Sequence, residues 1–344
     1  MIAPHRLRLD TAALVANWRA LAKLSGAAAC GAAVKADGYG LGAIEVARRL
    51  ADAGCRDVFV SSWAEADALA PLGLPVAVLH GVREEDVAAA KAGIGWPVLS
   101  TPAQVARWRA AGGGRCDVMI DTGMNRLGLS AEAVGEGVLD GLEIGTLMSH
   151  LACAEEDSPM NRRQRDAFAS LAGRTGAARM SLANSAGIAL GADYAFDLTR
   201  PGLALYGGVP CAALAGVIRP VVTPEAQILQ RRVLRAGDTI GYNATYIADR
   251  DVEVAILNIG YADGYWRGFS GGKGAALHDG ARLPVLGRVS MDLTAIAVDA
   301  APELAEGDWV ALDYALPKAA AASGMSQYEL LTGLGARFAR CWFD

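Results

Sequence analysis

The sequence predicts an α/β fold: a (β/α)8 TIM-like barrel followed by a mostly β C-terminal domain. Over roughly the first two hundred residues, short β-prone runs alternate with Ala-rich helical stretches. Beyond residue 220 the pattern changes to extended segments with frequent Gly, Pro and Asp. Alternating strands and helices are typical of a parallel sheet, whereas strands joined by turns favour a mostly β domain. We therefore predict domains at residues 1–220 and 221–344.

Eight apolar runs are the predicted barrel strands. They are residues 29–34, 58–61, 76–79, 96–99, 116–120, 144–148, 179–182 and 196–198. Helix-start signals fall in the gaps: Ser62 and Glu65 form a capping box, and Thr101 precedes Pro102 and Gln104 in the same relation. An open doubly wound sheet is the alternative, but no Gly-x-Gly-x-x-Gly follows the first run. A closed barrel would place its active site at the C-terminal ends of the strands.

Five extended segments are predicted as strands of the second domain. They are residues 225–234, 252–257, 283–285, 293–298 and 309–312. The glycine-rich stretch 270–274 is a predicted loop, because no strand and Lys-Ser/Thr pair frame it as a phosphate cradle.

Composition excludes several classes of function. The chain has 344 residues, 53% of them hydrophobic, which is enough for two substantial cores. Its net charge of -5 and scattered basic residues make a nucleic-acid partner unexpected. No apolar run reaches membrane-spanning length, and the first residues lack the pattern of a signal peptide. The six cysteines form no CxxC pair, so we expect a reduced cytoplasmic protein without a metal site.

Lys35 is the leading candidate for a chemical role. It is one of five lysines and lies between the apolar run 29–34 and a glycine-rich stretch around Tyr39. An amine held against an apolar strand end is costly to keep charged, so its pKa falls and it can form a Schiff base with an aldehyde. Taken alone, the same lysine is also compatible with a solvent-exposed strand end.

Polar residues follow other predicted strands at the same rim of the barrel. They are Asp121 to Arg126 after the fifth strand, His150 after the sixth, Asn184 and Ser185 after the seventh, and Arg200 to Gly202 after the eighth. Singly, each has an ordinary explanation as a helix cap, a core histidine or a rim ion pair. Loops after strands seven and eight of such barrels often bind phosphate, so a lysine on their rim predicts pyridoxal phosphate.

Seven short motifs occur in order along both predicted domains. They are residues 33–40 (AVKADGYG), 121–128 (DTGMNRLG), 149–152 (SHLA), 183–185 (ANS), 200–202 (RPG), 241–246 (GYNATY) and 287–292 (GRVSMD). With these motifs the chain resembles the alanine racemases, pyridoxal-phosphate enzymes of fold type III. The resemblance spans nearly the whole chain and implies the interconversion of L- and D-alanine, which supplies D-alanine for peptidoglycan.

The resemblance implies two catalytic bases. Lys35 would hold the cofactor and then act on one face of the substrate Cα, and Tyr242 would act on the opposite face. A tyrosine phenol ordinarily titrates near pH 10, so Tyr242 needs a neighbour that accommodates its phenolate. The resemblance implies His150 in that role and also implies that His150 binds the cofactor by packing near its ring. The resemblance also implies that Tyr242 comes from the other subunit of a head-to-tail homodimer.

The remaining roles are likewise implied by the resemblance. Arg200 would meet the pyridine nitrogen without giving it a full proton, because a guanidinium stays charged. Arg126 would contact the cofactor's phenolic oxygen and the substrate carboxylate, and the partner's Met291 would add a backbone contact to that carboxylate. The phosphate and cofactor set is Tyr39, Asn184, Ser185, Gly202 and Leu203, and the substrate access path is lined by Glu155, Tyr261, Arg267, Arg288 and Asp292.

Two positions depart from the family pattern. Many members carry a lysine, often carbamylated, two residues before the DTGM motif, where this chain has Met119. Arg126 therefore needs another partner, such as chloride or a polar neighbour. Near the C-terminus Ala336 stands where some members have a phosphate-binding tyrosine.

Other functions stay open at this point. A racemase of serine or of broader specificity would share Lys35 and the phosphate loops, because a methylene or hydroxyl shifts discrimination by only about 1–3 kcal/mol. A decarboxylase is disfavoured by Arg200, since those enzymes usually place an acid at the pyridine nitrogen. A non-catalytic pyridoxal-phosphate carrier is typically a single barrel, which the second domain with Tyr242 and Met291 argues against.

Overall fold

The computed structural model describes residues 5–343. Its barrel unit, Leu14–Arg219, contains eight parallel strands. The strands are Ala29–Cys30 continued by Ala32–Ala33, Val58–Val60, Val76–Val78, Trp96–Leu99, Arg115–Met119, Glu143–Met148, Arg179–Ser181 and Leu198–Thr199. All eight predicted strands are confirmed, with bounds that differ by at most two residues at either end.

Hydrogen bonds close the barrel. Neighbouring strands pair in parallel from Ala32–Ala33 round to Arg179–Ser181, and Leu198–Thr199 pairs with Ala29–Cys30. On its other side the last strand is joined to the seventh, because the Asp197 amide donates to the Met180 carbonyl at 3.0 Å. The C-terminal ends of the strands therefore share one rim, as the sequence predicts.

Helices surround the strands of the barrel unit. They are Thr11–Leu24, Ala43–Asp52, Trp63–Leu69, Val87–Lys91, Pro102–Ala110, Ala131–Gly135, Pro159–Ala169, Ser185–Ala189 and Ala192–Ala195, with 3-10 turns at Ala70–Leu72, Glu84–Asp86, Leu203–Tyr206 and Ala212–Leu214. The capping box of Ser62 and Glu65 is present at the start of Trp63–Leu69. Thr101 caps its helix through the Gln104 amide, but the Gln104 side chain accepts from Ser100 instead of completing a box.

The second unit is mostly antiparallel β structure, as predicted. Its strands are His5–Asp10, Val222–Leu234, Thr239–Ile240, Tyr246–Ile247, Val252–Leu257, Ala275–His278, Ala281–Leu286, Thr294–Ala297, Trp309–Leu312 and Phe338–Phe343. Val222–Leu234 pairs with both Val252–Leu257 and Trp309–Leu312, so six of these strands close into a ring. The remaining elements are helices Leu316–Ser323 and Gln327–Thr332 and 3-10 turns Tyr242–Ala244, Tyr261–Asp263 and Arg267–Phe269.

The first strand departs from the predicted division of the chain. His5–Asp10 belongs by its contacts to the unit that begins again at Pro220. It pairs antiparallel with Val222–Leu234 and parallel with Phe338–Phe343. The physical reason is an alternation in which Leu7 and Leu9 are buried while Arg6 and Arg8 point outward.

Long apolar helices are absent from the described part of the chain. Within residues 5–343, no helix has the length and hydrophobicity needed to cross a membrane.

Candidate active site

Lys35 lies at the end of the first barrel strand, at the start of a strained turn. Ala36, Asp37, Gly38 and Tyr39 all have φ between 53° and 63°, a left-handed conformation. Each non-glycine residue in that conformation costs about 1–2 kcal/mol, so the surrounding contacts must hold the turn. The Gly38 amide donates to the Val34 carbonyl at 2.8 Å, and the Ala43 amide donates to the Asp37 carboxylate at 2.8 Å.

The electrostatic surroundings of Lys35 favour its neutral form. Burial is the largest influence and lowers the pKa of the amine. Arg126 lowers it further, whereas Glu65 raises it and Arg200 lowers it again. At a given pH, a larger fraction of the Lys35 amine is therefore neutral than in an exposed lysine, which makes it a better nucleophile and base.

Tyr39 is fixed between an aromatic ring and a glycine. Its ring stacks on Tyr206 with centroids 4.6 Å apart, and the Tyr206 hydroxyl donates to the Ala33 carbonyl at 2.8 Å. Burial raises the pKa of Tyr39 to about 12, so its hydroxyl stays protonated at neutral pH. A Cβ on Gly202 would lie 2.2 Å from the Tyr39 hydroxyl, which explains why glycine occupies this position.

The loops after the seventh and eighth strands meet beside Tyr39. The buried Ser185 hydroxyl accepts hydrogen bonds from the Gly202 amide at 3.0 Å and the Ala204 amide at 3.1 Å. Asn184 caps the short helix that follows, accepting from the Gly187 amide at 2.8 Å. Leu203 is buried at the start of its 3-10 turn. Hydroxyls and backbone amides therefore converge on the side of the rim where a phosphate group is predicted.

Arg200 is a buried cation beneath the same rim. Its side chain is 7% exposed and donates to the Ser149 carbonyl at 2.6 Å and to the Ser181 hydroxyl. Burial lowers the pKa of Arg200 to about 10, with Asp117 opposing the shift, so the guanidinium stays charged at neutral pH. These two hydrogen bonds fix the orientation of the guanidinium plane.

His150 is held as a neutral imidazole. Burial lowers its pKa to about 3, and the positive charges of Arg200, Arg126 and Lys35 add to the effect. A neutral imidazole offers one donor and one acceptor nitrogen, so it can hydrogen-bond either form of a phenol.

Gln164 is a site-supporting residue that the sequence motifs do not reveal. It is fully buried on Pro159–Ala169. Its amide nitrogen donates to the His150 carbonyl at 2.9 Å and to the Thr122 hydroxyl at 3.2 Å, and its oxygen accepts from the Ala152 amide at 2.8 Å. It thereby joins the loops after the fifth and sixth strands. A buried glutamine on an amphipathic helix carries no local signal, so only tertiary contacts identify it.

Arg126 projects from a tightly built loop. The Asp121 carboxylate accepts from the Gly123 amide at 2.8 Å and the Asn125 amide at 3.1 Å, and Leu129 returns to pair with Met119. Arg126 itself is exposed and forms no hydrogen bond or ion pair with any of residues 5–343. Met119 has an apolar side chain, so the loop is held by the Asp121 carboxylate and by the pairing of Leu129 with the Met119 backbone.

The second unit gathers another set of the predicted residues. Tyr242 is 60% exposed and Met291 is 53% exposed. The Met291 carbonyl accepts from the Ala262 amide at 3.0 Å, and Arg267 lies 5.2 Å from the ring of Tyr261. Asp292 forms an ion pair of 2.8 Å with Arg337. In the same unit, the backbone of Arg288 lies next to Gly241, the residue before Tyr242.

The predicted residues therefore form two clusters, one in each unit. The barrel cluster contains Lys35, Tyr39, Arg126, His150, Asn184, Ser185, Arg200, Gly202 and Leu203, while Glu155 lies in an exposed loop of the same unit. The second-unit cluster contains Tyr242, Tyr261, Arg267, Arg288, Met291 and Asp292. Which of these residues touch substrate stays a prediction.

A closed barrel with a lysine of lowered pKa on its rim, followed along the chain by an antiparallel β unit, defines a two-domain α/β-barrel protein. Residues 9–210 match the family model of the alanine racemase N-terminal domain, and residues 221–342 match that of the C-terminal domain. The chain belongs to the alanine racemase family.

Individual relatives agree over the whole length. An alanine racemase of Acidiphilium cryptum is 42% identical, over 97% of both chains. The biosynthetic alanine racemase of Agrobacterium fabrum is 40% identical, over 98% of this chain and 93% of its own. The crystal structure of alanine racemase from Bartonella henselae with covalently bound pyridoxal phosphate superposes with a TM-score of 0.91 at 33% identity, covering 99% of this chain and 100% of its own.

Proposed function

We propose that this chain is a pyridoxal-phosphate-dependent racemase that interconverts L- and D-alanine. The observation that carries the proposal is the barrel cluster, in which a lysine of lowered pKa shares a rim with Tyr39, Ser185 and Gly202. A relative of the same length and fold holds pyridoxal phosphate covalently, which supports the same cofactor here.

The donor set of the barrel suits this cofactor. Lys35 supplies an amine for the aldehyde, and the protonated Tyr39 hydroxyl together with the Ser185 hydroxyl supplies hydrogen-bond donors for the phosphate. The absence of a side chain at Gly202 leaves room beside the Tyr39 hydroxyl. Asn184 and Leu203 shape the same loops. When bound, the cofactor withdraws electrons from the substrate Cα and makes its hydrogen acidic.

Proton transfer falls to two side chains of this chain. Lys35 Nζ removes or returns the proton on one face of Cα, and Tyr242 Oη of the partner subunit does so on the other. The neutral His150 is suited to hydrogen-bond that phenol as it gains and loses its proton. Arg126, exposed and without a protein partner among residues 5–343, is suited to the substrate carboxylate, with a backbone contact from the partner's Met291.

Arg200 directs the reaction toward proton exchange. Because its guanidinium is already charged and held by two hydrogen bonds, it would hold the ring nitrogen of a bound cofactor by a hydrogen bond without transferring a full proton. Arg200 would thereby limit how much negative charge from Cα the cofactor takes up. Simple return of the proton is favoured over transamination.

A homodimer with shared sites is supported by exposed apolar side chains in the second unit. Tyr242 and Met291 are exposed together with Ile247 at 64% and Leu293 at 42%. Exposed apolar groups of this size favour a covering protein surface. A second copy whose barrel meets this surface would bring Lys35 and Tyr242 together in one site.

The physiological role proposed is supply of D-alanine for peptidoglycan in the cytoplasm. The biosynthetic relative supports it, whereas another relative of Agrobacterium fabrum at 40% identity is named catabolic. Racemisation of serine or of several amino acids is the alternative on the same scaffold.

The first test uses L-alanine in heavy water. The purified enzyme with bound cofactor should produce D-alanine carrying deuterium at Cα, measured by chiral chromatography and mass spectrometry. Bound cofactor without D-alanine would redirect the substrate to serine or basic amino acids. A protein that binds no cofactor would overturn the proposal from Lys35 onward.

Mixed dimers test the shared site. Lys35→Ala and Tyr242→Phe subunits are each expected to be inactive alone. If sites are shared, half of a statistical mixture are hybrid dimers with one intact site each, so activity should return to about a quarter of the wild-type value. If each subunit supplied both residues to its own site, the mixture would stay inactive.

A further inference from the structure

Glu65 contacts the strained turn at Lys35, a role that its place in a capping box does not require. One carboxylate oxygen accepts from the Ser61 amide at 2.7 Å and from the Ser62 amide at 3.2 Å. The other oxygen accepts from the Ala36 amide at 2.7 Å. A single side chain thus joins the end of the second barrel strand to the residue directly after the lysine.

We propose that Glu65 is a positioning residue for Lys35, holding the left-handed turn and supplying the negative charge that faces the amine. This inference rests on the proposed function of Lys35 as the cofactor lysine and base.

The geometric part of the argument concerns strain. Ala36 and Asp37 both have φ of 53°. This conformation is unfavourable for residues other than glycine, so contacts with the rest of the barrel must hold the turn. The Asp37 carboxylate holds the far end through the Ala43 amide, and Tyr39 is held by stacking on Tyr206. Glu65 is the side chain that holds the near end, next to Lys35. A hydrogen bond to a charged acceptor is worth more than one to a neutral acceptor.

The electrostatic part concerns the groups facing the amine. Arg126 comes from the loop after the fifth strand, Arg200 from the end of the eighth, and neutral His150 from the end of the sixth. Both arginines act with burial to lower the pKa of Lys35, whereas Glu65 raises it. Removing the charge of Glu65 should therefore lower the pKa of the amine further.

Glu65→Gln tests both parts without changing side-chain size. An amide has one acceptor oxygen and one donor nitrogen, so it cannot accept hydrogen bonds from both segments. The segment around Lys35 should then exchange its amide hydrogens about tenfold faster or more, measured by mass spectrometry on the cofactor-free protein. The pH at which Lys35 becomes reactive toward reductive methylation should also fall.

The matched control is Glu329→Gln. Glu329 forms the same capping box with Ser326 at the start of Gln327–Thr332, but in the second unit. Its loss removes one box and one charge, and it should leave both the exchange and the titration of the Lys35 segment unchanged.

Glu65→Asp separates the effect of the negative charge from that of the hydrogen bond to the Ala36 amide. It remains informative if the glutamine variant fails to fold. The shorter carboxylate keeps its charge but draws back from the Ala36 amide, so exchange should accelerate while the Lys35 titration moves less than in Glu65→Gln. Unchanged exchange and unchanged titration in Glu65→Gln would overturn the proposal. Because neither readout uses turnover, a protein that proved not to racemise alanine would still show them.

Discussion

The barrel cluster and the second-unit cluster differ in how far the chain itself completes them. In the barrel, Tyr39 is 6% exposed, Arg200 is 7% exposed and Ser185 is 2% exposed, and each has its polar groups or ring engaged. In the second unit, Tyr242 and Met291 are more than half exposed. Packing within one chain preorganises the barrel cluster apart from the exposed Arg126, whereas the second cluster presents Tyr242 and Met291 to solvent. Cofactor binding should therefore depend on the barrel, and turnover on both clusters.

Lys35→Ala should have the largest effect, because it should abolish both covalent cofactor binding and turnover. Turnover should fall by more than about 10³-fold, because a base and the covalent attachment are lost together. Borohydride reduction followed by peptide mass spectrometry would show no cofactor on the segment around residue 35. Lys273→Ala, at an exposed lysine of the second unit, serves as the control and should change neither property. Covalent cofactor remaining in Lys35→Ala would identify a different lysine.

Tyr242→Phe should separate cofactor binding from turnover. The change removes only a hydroxyl from an exposed ring, so stability should shift by less than about 0.5 kcal/mol and cofactor should stay bound. Turnover should fall by about 10²–10⁴-fold if the phenol is the second base. Tyr246→Phe is the control, because that ring packs against the apolar cluster around Leu234. Racemisation by Tyr242→Phe at the native rate would contradict the two-base assignment.

Gly202→Ala should damage the barrel cluster alone. The added methyl would lie 2.2 Å from the Tyr39 hydroxyl and 2.9 Å from its ring, and stacking on Tyr206 prevents easy retreat. We expect a loss of about 1–3 kcal/mol in unfolding free energy and weaker cofactor binding, measured by urea denaturation and by cofactor titration. Gly135→Ala, where nothing lies within 4 Å of the new methyl, is the control. Equal cofactor affinity in both variants would show that Tyr39 takes no part in binding.

The last expected effect is on the pH dependence of stability, and it is confined to acidic pH. The pKa of His150 is about 3 in the folded barrel against 6.5 for the free side chain, so the unfolded chain binds a proton first as pH falls. His150 therefore leaves stability unaffected above pH 6.5 and diminishes it progressively between pH 6.5 and 3. His150→Gln should flatten this part of the curve of unfolding free energy against pH, and His80→Gln, at an exposed histidine, controls for loss of an imidazole. An unchanged slope in His150→Gln would contradict the burial argument.

The sequence predicted the barrel better than the elements that join distant parts of the chain. Runs such as Val76–Val78 are apolar on both faces and bounded by turn residues, so their strand character is local. The capping box of Ser62 and Glu65 is local too, and it was predicted. His5–Asp10 was missed because its partners follow more than two hundred residues later.

The same reasoning applies to the candidate site. Glycines around Tyr39 predicted a special backbone, but nothing in the sequence shows that Ala36 and Asp37 are left-handed as well. The second acceptor role of Glu65 and the links made by Gln164 depend on which loops meet at the rim. Side chains that support a site through tertiary contacts leave no spacing pattern to be read.

The placement of His5–Asp10 also affects the order in which the protein can be completed during synthesis. This strand leaves the ribosome early, yet it lies between Val222–Leu234 and Phe338–Phe343. All residues of the barrel unit are made before either neighbour exists. The barrel can therefore fold as a loop inserted within the other unit, while the leading strand waits for its first partner, Val222–Leu234, and gains its second only when Phe338–Phe343 emerges.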